Sequence, residues 1–391
     1  MNKCDVVILG AGAAGMFCAI EAARRGRQVV VIDHAVRAGE KIRISGGGRC
    51  NFTNRTVAPE RFLSANPRFA LSALSRFAPG HFIERLDQAG ISWHEKTLGQ
   101  LFCDGSATQI VGLLTRQMSD AGAQLHLGCT VRCVNRGTGY EVETDRGLYM
   151  AERLVVATGG KSIPKMGATG LGYQIADAFG LAQVPTRPGL VPLTFAEDLL
   201  AQTRTLAGVS VQARVSHQAT GFAEGLLFTH RGLSGPSVLQ ISSYWREGDE
   251  IRVDLAAGRD VLTELKALRG TEGRLSLPRA LGRFLPDKLA ALVLAQTGIA
   301  GRLADQPNAR LEALAGLVAG WRVRPVGSEG YRTAEVTLGG VDTGGLDART
   351  MEARAVPGLH FIGEVVDVTG WLGGYNFQWA WSSGWAAGQA V

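Results

Sequence analysis

The chain of 391 residues has little of what many local chemistries require. Its six cysteines, Cys4, Cys18, Cys50, Cys103, Cys129 and Cys133, form no CxxC pair, and Cys129-x3-Cys133 has no second ligand pair nearby. Neither a zinc site nor a disulfide framework is supported. The seven histidines show no HxxxH or HExxH, so no metal is expected, and no Ser-His-Asp arrangement is recognisable. No apolar run reaches the length of a membrane span, and Gly10, Gly12 and Gly15 interrupt the apolar start that would otherwise read as a signal peptide. A soluble protein in a reducing, cytoplasmic setting is expected, with no membrane partner. The net charge is +6, yet no basic tract with interleaved aromatics occurs; the tightest groups are Arg24-Arg25-Gly26-Arg27 and Arg322-Val323-Arg324. A nucleic-acid partner is therefore not expected, and attraction to an anionic cofactor or substrate accounts for the charge.

What the chain has in quantity is glycine, 52 residues in short clusters, on a background that is 46% hydrophobic and long enough for two or three domains. Val6-Val7-Ile8-Leu9 reads as a buried strand and runs into Gly10-Ala11-Gly12-Ala13-Ala14-Gly15. Met16 to Arg25 reads as a helix stopped by Gly26, and Gln28 to Ile32 as a second buried strand ending in Asp33. This is a dinucleotide fingerprint in its required context. Gly10 permits the turn, Gly12 lets a pyrophosphate approach the backbone, and Gly15 lets helix pack on strand. The helix N-terminus supplies free N–H groups, and Asp33 is placed for a ribose hydroxyl pair and against a 2′-phosphate.

Lys41 follows the second strand and leads through Ser45-Gly46-Gly47-Gly48-Arg49-Cys50-Asn51. Three glycines between cationic and hydroxyl residues make a backbone cradle. A simple NAD dehydrogenase would place a helix here; a covering loop suits the longer FAD. Further along, Gln124 to Val134 and Gly139 to Thr144 read as a small hairpin layer, with Val131 positioned to touch adenine through its backbone. Leu154-Val155-Val156-Ala157 is another buried strand, followed by Thr158-Gly159-Gly160. Leu359 to Ile362 runs into Gly363-Glu364, an acid placed for ribityl hydroxyls. Gly373-Gly374-Tyr375-Asn376-Phe377 then opens a final helix whose N–H groups would face the flavin.

The blocks Gly10 to Gly15, Ile44 to Asn51, Ala157 to Gly160, Phe228 to Pro236 and Gly373 to Ser383 resemble the bacterial YhiN/BaiN-type FAD flavoproteins over essentially the whole chain. The resemblance implies an α/β fold: a Rossmann-like FAD-binding domain of the glutathione-reductase type with an inserted β-barrel domain and a nested small helical domain. It implies tightly bound FAD and NAD(P)/FAD-dependent oxidoreductase activity. Two positions depart from the family pattern: Asp33 stands where Glu is commoner, and Leu171 where Asp is usual.

The expected division is 1–188 for the first part of the FAD domain, 189–258 and 322–341 for the inserted sheet, 259–321 for the helices and 342–391 for the C-terminal part. Alternating Val209 to His217, then Leu226 to Phe228, Val238 to Ile241, Ile251 to Leu255 and Arg332 to Leu338 read as strands. Leu281, Leu285, Leu289, Leu292 and Val293 have helical spacing. Gly167 to Gly172 has no strand before it, so no second nucleotide domain is expected, and NAD(P)H would enter the substrate cleft as a transient co-substrate. His230 and Arg231, beside a glycine turn, are the candidate acid/base and carboxylate clamp. The function expected is hydride transfer between FAD and a small organic substrate. An RNA-modifying flavoprotein of the tRNA type and a non-catalytic redox sensor are the alternatives.

Overall fold

The computed structural model describes residues 2–391. They divide into two units, Met1–Arg187 with Val336–Val391, and Pro188–Glu335. In the first, β1 (Asn2–Leu9) lies at the centre of a parallel sheet. It pairs on one side with β2 (Val29–Ile32), which pairs with β3 (Gln124–His126). On the other side it pairs with β6 (Gly147–Val156). The first half of β6 takes β5 (Tyr140–Thr144) as an antiparallel neighbour, and β5 takes β4 (Val131–Arg136). The last residues of β6 pair with β7 (Leu359–Phe361), which brings a C-terminal strand into the N-terminal sheet. The aliphatic runs of β1, β2 and the end of β6 are buried because helices cover a parallel sheet on both faces.

Gln124–His126 thus joins the parallel sheet rather than the hairpin layer expected from the sequence. The chain breaks after it because Gly128 takes φ +59. Gly128 then donates to the Ala35 carbonyl and Cys129 to that of Asp33.

Two helices dominate the core. α1 (Ala13–Arg24) packs against α2 (Tyr375–Gly388), so the first and last segments of the chain meet. Trp381 is buried between Phe82, stacked at 4.3 Å, and Phe17 at 5.7 Å. Its indole donates to the Phe52 carbonyl, and that of Trp379 to the Gly363 carbonyl. Such aromatics bury large area while their polar edges stay satisfied.

The second unit is a seven-stranded antiparallel sheet. Its order is Trp321–Val323, Ile251–Asp254, Ser210–His217, Thr220–Phe228, Gly232–Ser234, Leu193–Thr194, Gly327–Ser328. The two edge strands are joined by only Arg324, Pro325 and Val326, which holds their ends within roughly 15 Å and curls the sheet toward a barrel. Phe228 and Phe195 pack on Trp321 in its core at 5.8 and 6.4 Å. Four helices, Val261–Glu272, Leu277–Leu281, Asp287–Thr297 and Asn308–Ala319, interrupt the sheet between two of its strands. Leu281, Leu285, Leu289 and Val293 are buried among them, while Leu292 is half-buried.

Two of the expected strands are something else. Val238–Ile241 lies in a helix, Pro236–Ser242, because Pro236 occupies its first turn after Gly235 and residues 237, 238, 240, 241 and 242 are buried at helical spacing. In place of Arg332–Leu338 the strand is Val336–Val341, which pairs with Gln183–Gly189 and belongs to the first unit rather than to the insert. Among the described residues no helix is long and apolar enough to cross a membrane.

Candidate functional site

The turn from β1 to α1 is built from two glycines the fold needs and one it does not. At Gly10 (φ +112) a Cβ would lie 2.4 Å from the Ala157 carbonyl oxygen, and at Gly15 a Cβ would lie 2.0 Å from that of Gly10. Strand end, helix and β6 therefore touch backbone to backbone. Around Gly12, the N-cap of α1, nothing lies within 4 Å of a built Cβ, and no side chain caps the helix. Ala13, Ala14 and Gly15 follow in its first turn, their N–H groups among those an α-helix leaves unpaired. Asp33 is not idle: its carboxylate accepts from the Ala11 N–H at 2.6 Å and the Ala35 N–H at 2.8 Å. It braces this turn from the end of β2 and retains lone pairs for a further donor.

The glycine-rich segment begins as the helix that the sequence reading did not anticipate. Residues Glu40–Gly48 open with one helical turn, then Ser45 becomes extended and Gly46, Gly47 and Gly48 take φ values of +57, +66 and +84. Cys50 follows at φ +50. The Ser45 hydroxyl donates to the Ile42 carbonyl at 2.8 Å. Successive left-handed residues turn backbone N–H groups into a concave donor surface. Arg49 is exposed. Cys50 is fully buried, and burial pushes its thiol well above the ordinary range, so it is a packed, protonated thiol.

Lys41 points from the helical turn into a polar cluster that no motif announces. Its Nζ donates to the Ser162 Oγ at 2.6 Å and pairs with the Glu364 carboxylate at 2.7 Å. Glu364 also accepts from the Thr337 N–H at 2.9 Å and the Ser162 hydroxyl at 3.0 Å. Thr337 in turn receives the Lys161 and Ser162 N–H groups. Four distant segments, at Lys41, Ser162, Thr337 and Glu364, are thereby locked together just after Ala157-Thr158-Gly159-Gly160. Ser162 and Thr337 were missed by sequence reasoning, since neither belongs to a recognisable pattern.

The start of α2 is held by asparagines. With its amide oxygen turned toward Gly374, Asn51 accepts from the Gly374 N–H at 3.2 Å and donates to the Thr53 and Leu101 carbonyls at 3.1 Å. Asn376 closes a loop with Gly370 by donating to its carbonyl and accepting its N–H. The buried Tyr375 hydroxyl pairs with Arg61, whose guanidinium also lies 5.6 Å from the Tyr375 ring and 5.7 Å from the Trp371 ring. Phe377 stacks on Trp381. Gly363, between β7 and Glu364, donates to the Ser383 hydroxyl of α2. Val131 opens β4 opposite Thr144 at a sheet irregularity.

His230 and Arg231 stand on an exposed turn of the second unit. Thr229 organises that turn, its hydroxyl accepting from the Arg231 and Gly232 N–H groups at 3.1 Å. Neither the His230 ring nor the Arg231 guanidinium makes a hydrogen bond or ion pair among the described residues.

The first unit fits a flavin dinucleotide. Thr158 Oγ1 is buried with no hydrogen-bond partner among the described residues. Gly12, Gly47 and Gly159 each border open space, and two uncapped helix starts supply donors. No cluster of three His, Cys, Asp or Glu side chains able to hold a metal occurs among the described residues.

Comparison with known proteins agrees on the fold and corrects the expected substrate. The chain is 51% identical to the ribosomal RNA dihydrouridine synthase of Escherichia coli (strain K12), covering 100% of this chain and 98% of that protein. It is 44% identical to the ribosomal RNA dihydrouridine synthase of Haemophilus influenzae, covering 98% of both. These relatives overturn the small organic substrate and the exclusion of nucleic acid argued from the lack of a basic tract. Among solved structures, a quinol–fumarate reductase with menaquinol shares the fold at a TM-score of 0.52 and 15% identity, covering 100% of this chain and 70% of that one. The model of the HI0933-like protein Rossmann domain matches residues 4–390, and the chain belongs to this FAD-binding Rossmann family.

Proposed function

We propose that the chain is an FAD-dependent dihydrouridine synthase that reduces the C5=C6 bond of uridine in ribosomal RNA. The observation that carries this is identity of 51% across the whole chain to a protein of that activity. When bound, FAD supplies the hydride. The chain supplies position and charge. Ala13 to Gly15 and the Gly46–Gly48 turn donate to the pyrophosphate side, Asp33 accepts from the adenosine ribose, and Val131 meets adenine through its backbone. Glu364, Lys41, Ala157, Thr158, Gly159 and Gly160 line the ribityl side, with Gly363, Gly373 and Gly374 at the start of α2 facing the flavin ring. Tyr375, Asn376, Phe377, Ser45, Arg49, Cys50 and Asn51 shape that end. The second hydrogen reaches the base as a proton. In the second unit His230 is the candidate acid/base and Arg231 suits a backbone phosphate.

A cationic surface supports the RNA substrate. Between Lys266 and Arg310 the helices carry eight Lys and Arg against three Asp and Glu. Arg274, Arg279, Lys288, Arg302 and Arg310 are exposed, and none has a side-chain hydrogen bond or ion pair among the described residues. Arg274 and Arg279 line an open depression of about 560 Å³, and Arg302 stands beside it through the Ser276–Arg302 bridge. Free cations of this kind neutralise phosphates.

The test is anaerobic. Purified protein should release FAD rather than FMN, be reduced by NADH or NADPH, and be reoxidised by in vitro transcribed ribosomal RNA with a mass gain of two hydrogens on uridine. Absence of that mass gain, with the flavin fully reduced, overturns the reading. Charge reversal at Arg274 and Arg279 should weaken RNA retention and flatten its salt dependence without changing flavin content.

A further inference from the structure

Uracil inside a folded RNA is stacked, and its C5=C6 bond cannot lie flat against a flavin until the base leaves the stack. Something must hold the gap open. Exposed apolar side chains on rigid supports serve this purpose in proteins that kink nucleic acids.

One residue of the first unit has those properties. Leu98 is 61% exposed, although it is a large aliphatic. It sits at the tip between strands Trp93–Glu95 and Gln100–Cys103 in a left-handed conformation, φ +60, which L side chains adopt at a cost. The tip is not loose. The Leu98 carbonyl accepts from the Asn54 amide at 3.0 Å, and the other hydrogen of that amide goes to the Gly373 carbonyl, also at 3.0 Å. The Asn54 oxygen accepts from the Thr56 N–H and hydroxyl. Asn54 is 1% exposed, and both amide hydrogens and the amide oxygen of its side chain are used. A single buried amide therefore ties the Leu98 tip to the glycine pair that starts α2.

Cations surround the tip. Lys96 is exposed with its ammonium 4.1 Å from the Phe102 ring centre, and Arg55 is exposed over Trp93 at 5.7 Å. The Arg55 N–H donates to the Gly99 carbonyl, so both cations move with the turn. Arg55 is already ion-paired to Glu95 at 2.6 Å, which leaves Lys96 as the phosphate-seeking group. The arrangement is an apolar point flanked by one such cation, rigidly joined to the segment proposed to face the flavin.

We propose that Leu98 is a wedge that enters the RNA stack and takes the place of the target uridine while that base lies against the flavin, with Lys96 on a flanking phosphate. This rests on the dihydrouridine synthase reading above.

The experiment uses the FAD-loaded protein and two forms of one substrate: folded, in vitro transcribed ribosomal RNA and the same RNA cut to short single-stranded fragments. Leu98→Gly suits the backbone at φ +60, and Leu98→Met restores an apolar side chain. Leu98→Gly should keep its flavin content and melting temperature. It should lose about tenfold or more in kcat/KM on folded RNA, with a much smaller loss on fragments, and Leu98→Met should recover most of the rate. Fluorescence of 2-aminopurine placed next to the target uridine should rise on binding wild type and Leu98→Met, but not Leu98→Gly. Equal losses on both substrates, or none on folded RNA, overturn the wedge and leave the dihydrouridine reading intact. Wild type that forms no dihydrouridine in folded RNA overturns that reading and the wedge with it.

Discussion

Glu364 offers the sharpest separation between bracing the fold and holding the cofactor. Its carboxylate has three protein donors: Lys41 Nζ at 2.7 Å, the Thr337 N–H at 2.9 Å and the Ser162 hydroxyl at 3.0 Å. In Glu364→Gln the retained oxygen still accepts from Thr337 and Ser162, but an amide N–H now faces the Lys41 ammonium. A hydrogen bond to a charged group contributes about 1.5–3 kcal/mol. Because a third of the Lys41 side chain stays in water, the lower end applies. At about 2–4 °C per kcal/mol for a protein of some 200 residues, and less for a longer chain, the flavin-free protein should melt roughly 2–5 °C lower. If ribityl hydroxyls also donate to Glu364, FAD affinity should fall by about a further tenfold, since 1.4 kcal/mol is a decade. Glu364→Ala should be worse on both counts, because it leaves the Thr337 N–H without its acceptor and Lys41 without its counter-charge. Differential scanning fluorimetry of the apo form and a fluorescence titration with FAD measure the two effects separately. A lowered apo midpoint with unchanged FAD affinity would mean that Glu364 only braces the fold. No change in either would refute the reasoning.

Two other outcomes follow from the same structure. Gly15→Ala should abolish soluble folded protein, since its Cβ would stand 2.0 Å from the Gly10 carbonyl, while Gly12→Ala should melt like wild type yet bind FAD about tenfold or more weakly, as apo scanning fluorimetry and FAD titration would show. His360 is buried and held neutral, with burial pushing its pKa below the ordinary value and Nδ1 bonded to the Thr350 carbonyl at 2.9 Å. The stability that the neutral ring contributes is complete above the usual histidine value near 6.5 and is lost as pH falls through the lowered folded value; His360→Asn should flatten that acid limb in urea midpoints taken across the range.

The fold was legible where function and packing demand the same residues. Gly10 and Gly15 announce the β1–α1 turn because no other side chain fits between those backbones, and the aliphatic runs of β1, β2 and the end of β6 announce a parallel sheet because both faces are covered. Legibility failed where long-range pairing decides. Val238–Ile241 is apolar enough for a strand, and only the Gly235-Pro236 start shows that it is a helix. Lys41, Ser162, Thr337 and Glu364 meet across more than 300 residues of sequence, and a single Ser or Thr in a loop carries no local mark of such a meeting. Leu98 was equally silent, since an exposed leucine is commonplace until its left-handed backbone and its tie through Asn54 are seen.

The substrate was misread for a related reason. A search for basic runs asks whether cations are neighbours along the chain, but a phosphate backbone feels only whether they are neighbours in space. Arg274, Arg279 and Arg302 are spaced by five residues and then by twenty-three, too far apart to form a tract. The Ser276–Arg302 bridge and the N–H of Leu277 on the Gly301 carbonyl fold that spacing into one face. Of the three acids between Lys266 and Arg310, Glu272 is taken up by Arg283, and just beyond them Glu312 pairs with Lys266. A modest net charge of +6 thus hides a local excess, because ion pairs remove opposite charges two at a time and leave the unpaired arginines together. The flavin scaffold itself is neutral on the question, since one fold hosts many substrates. On the reading proposed above, what distinguishes an RNA enzyme on this scaffold is the surface that meets the polymer, and the candidate cationic face depends on how four helices pack.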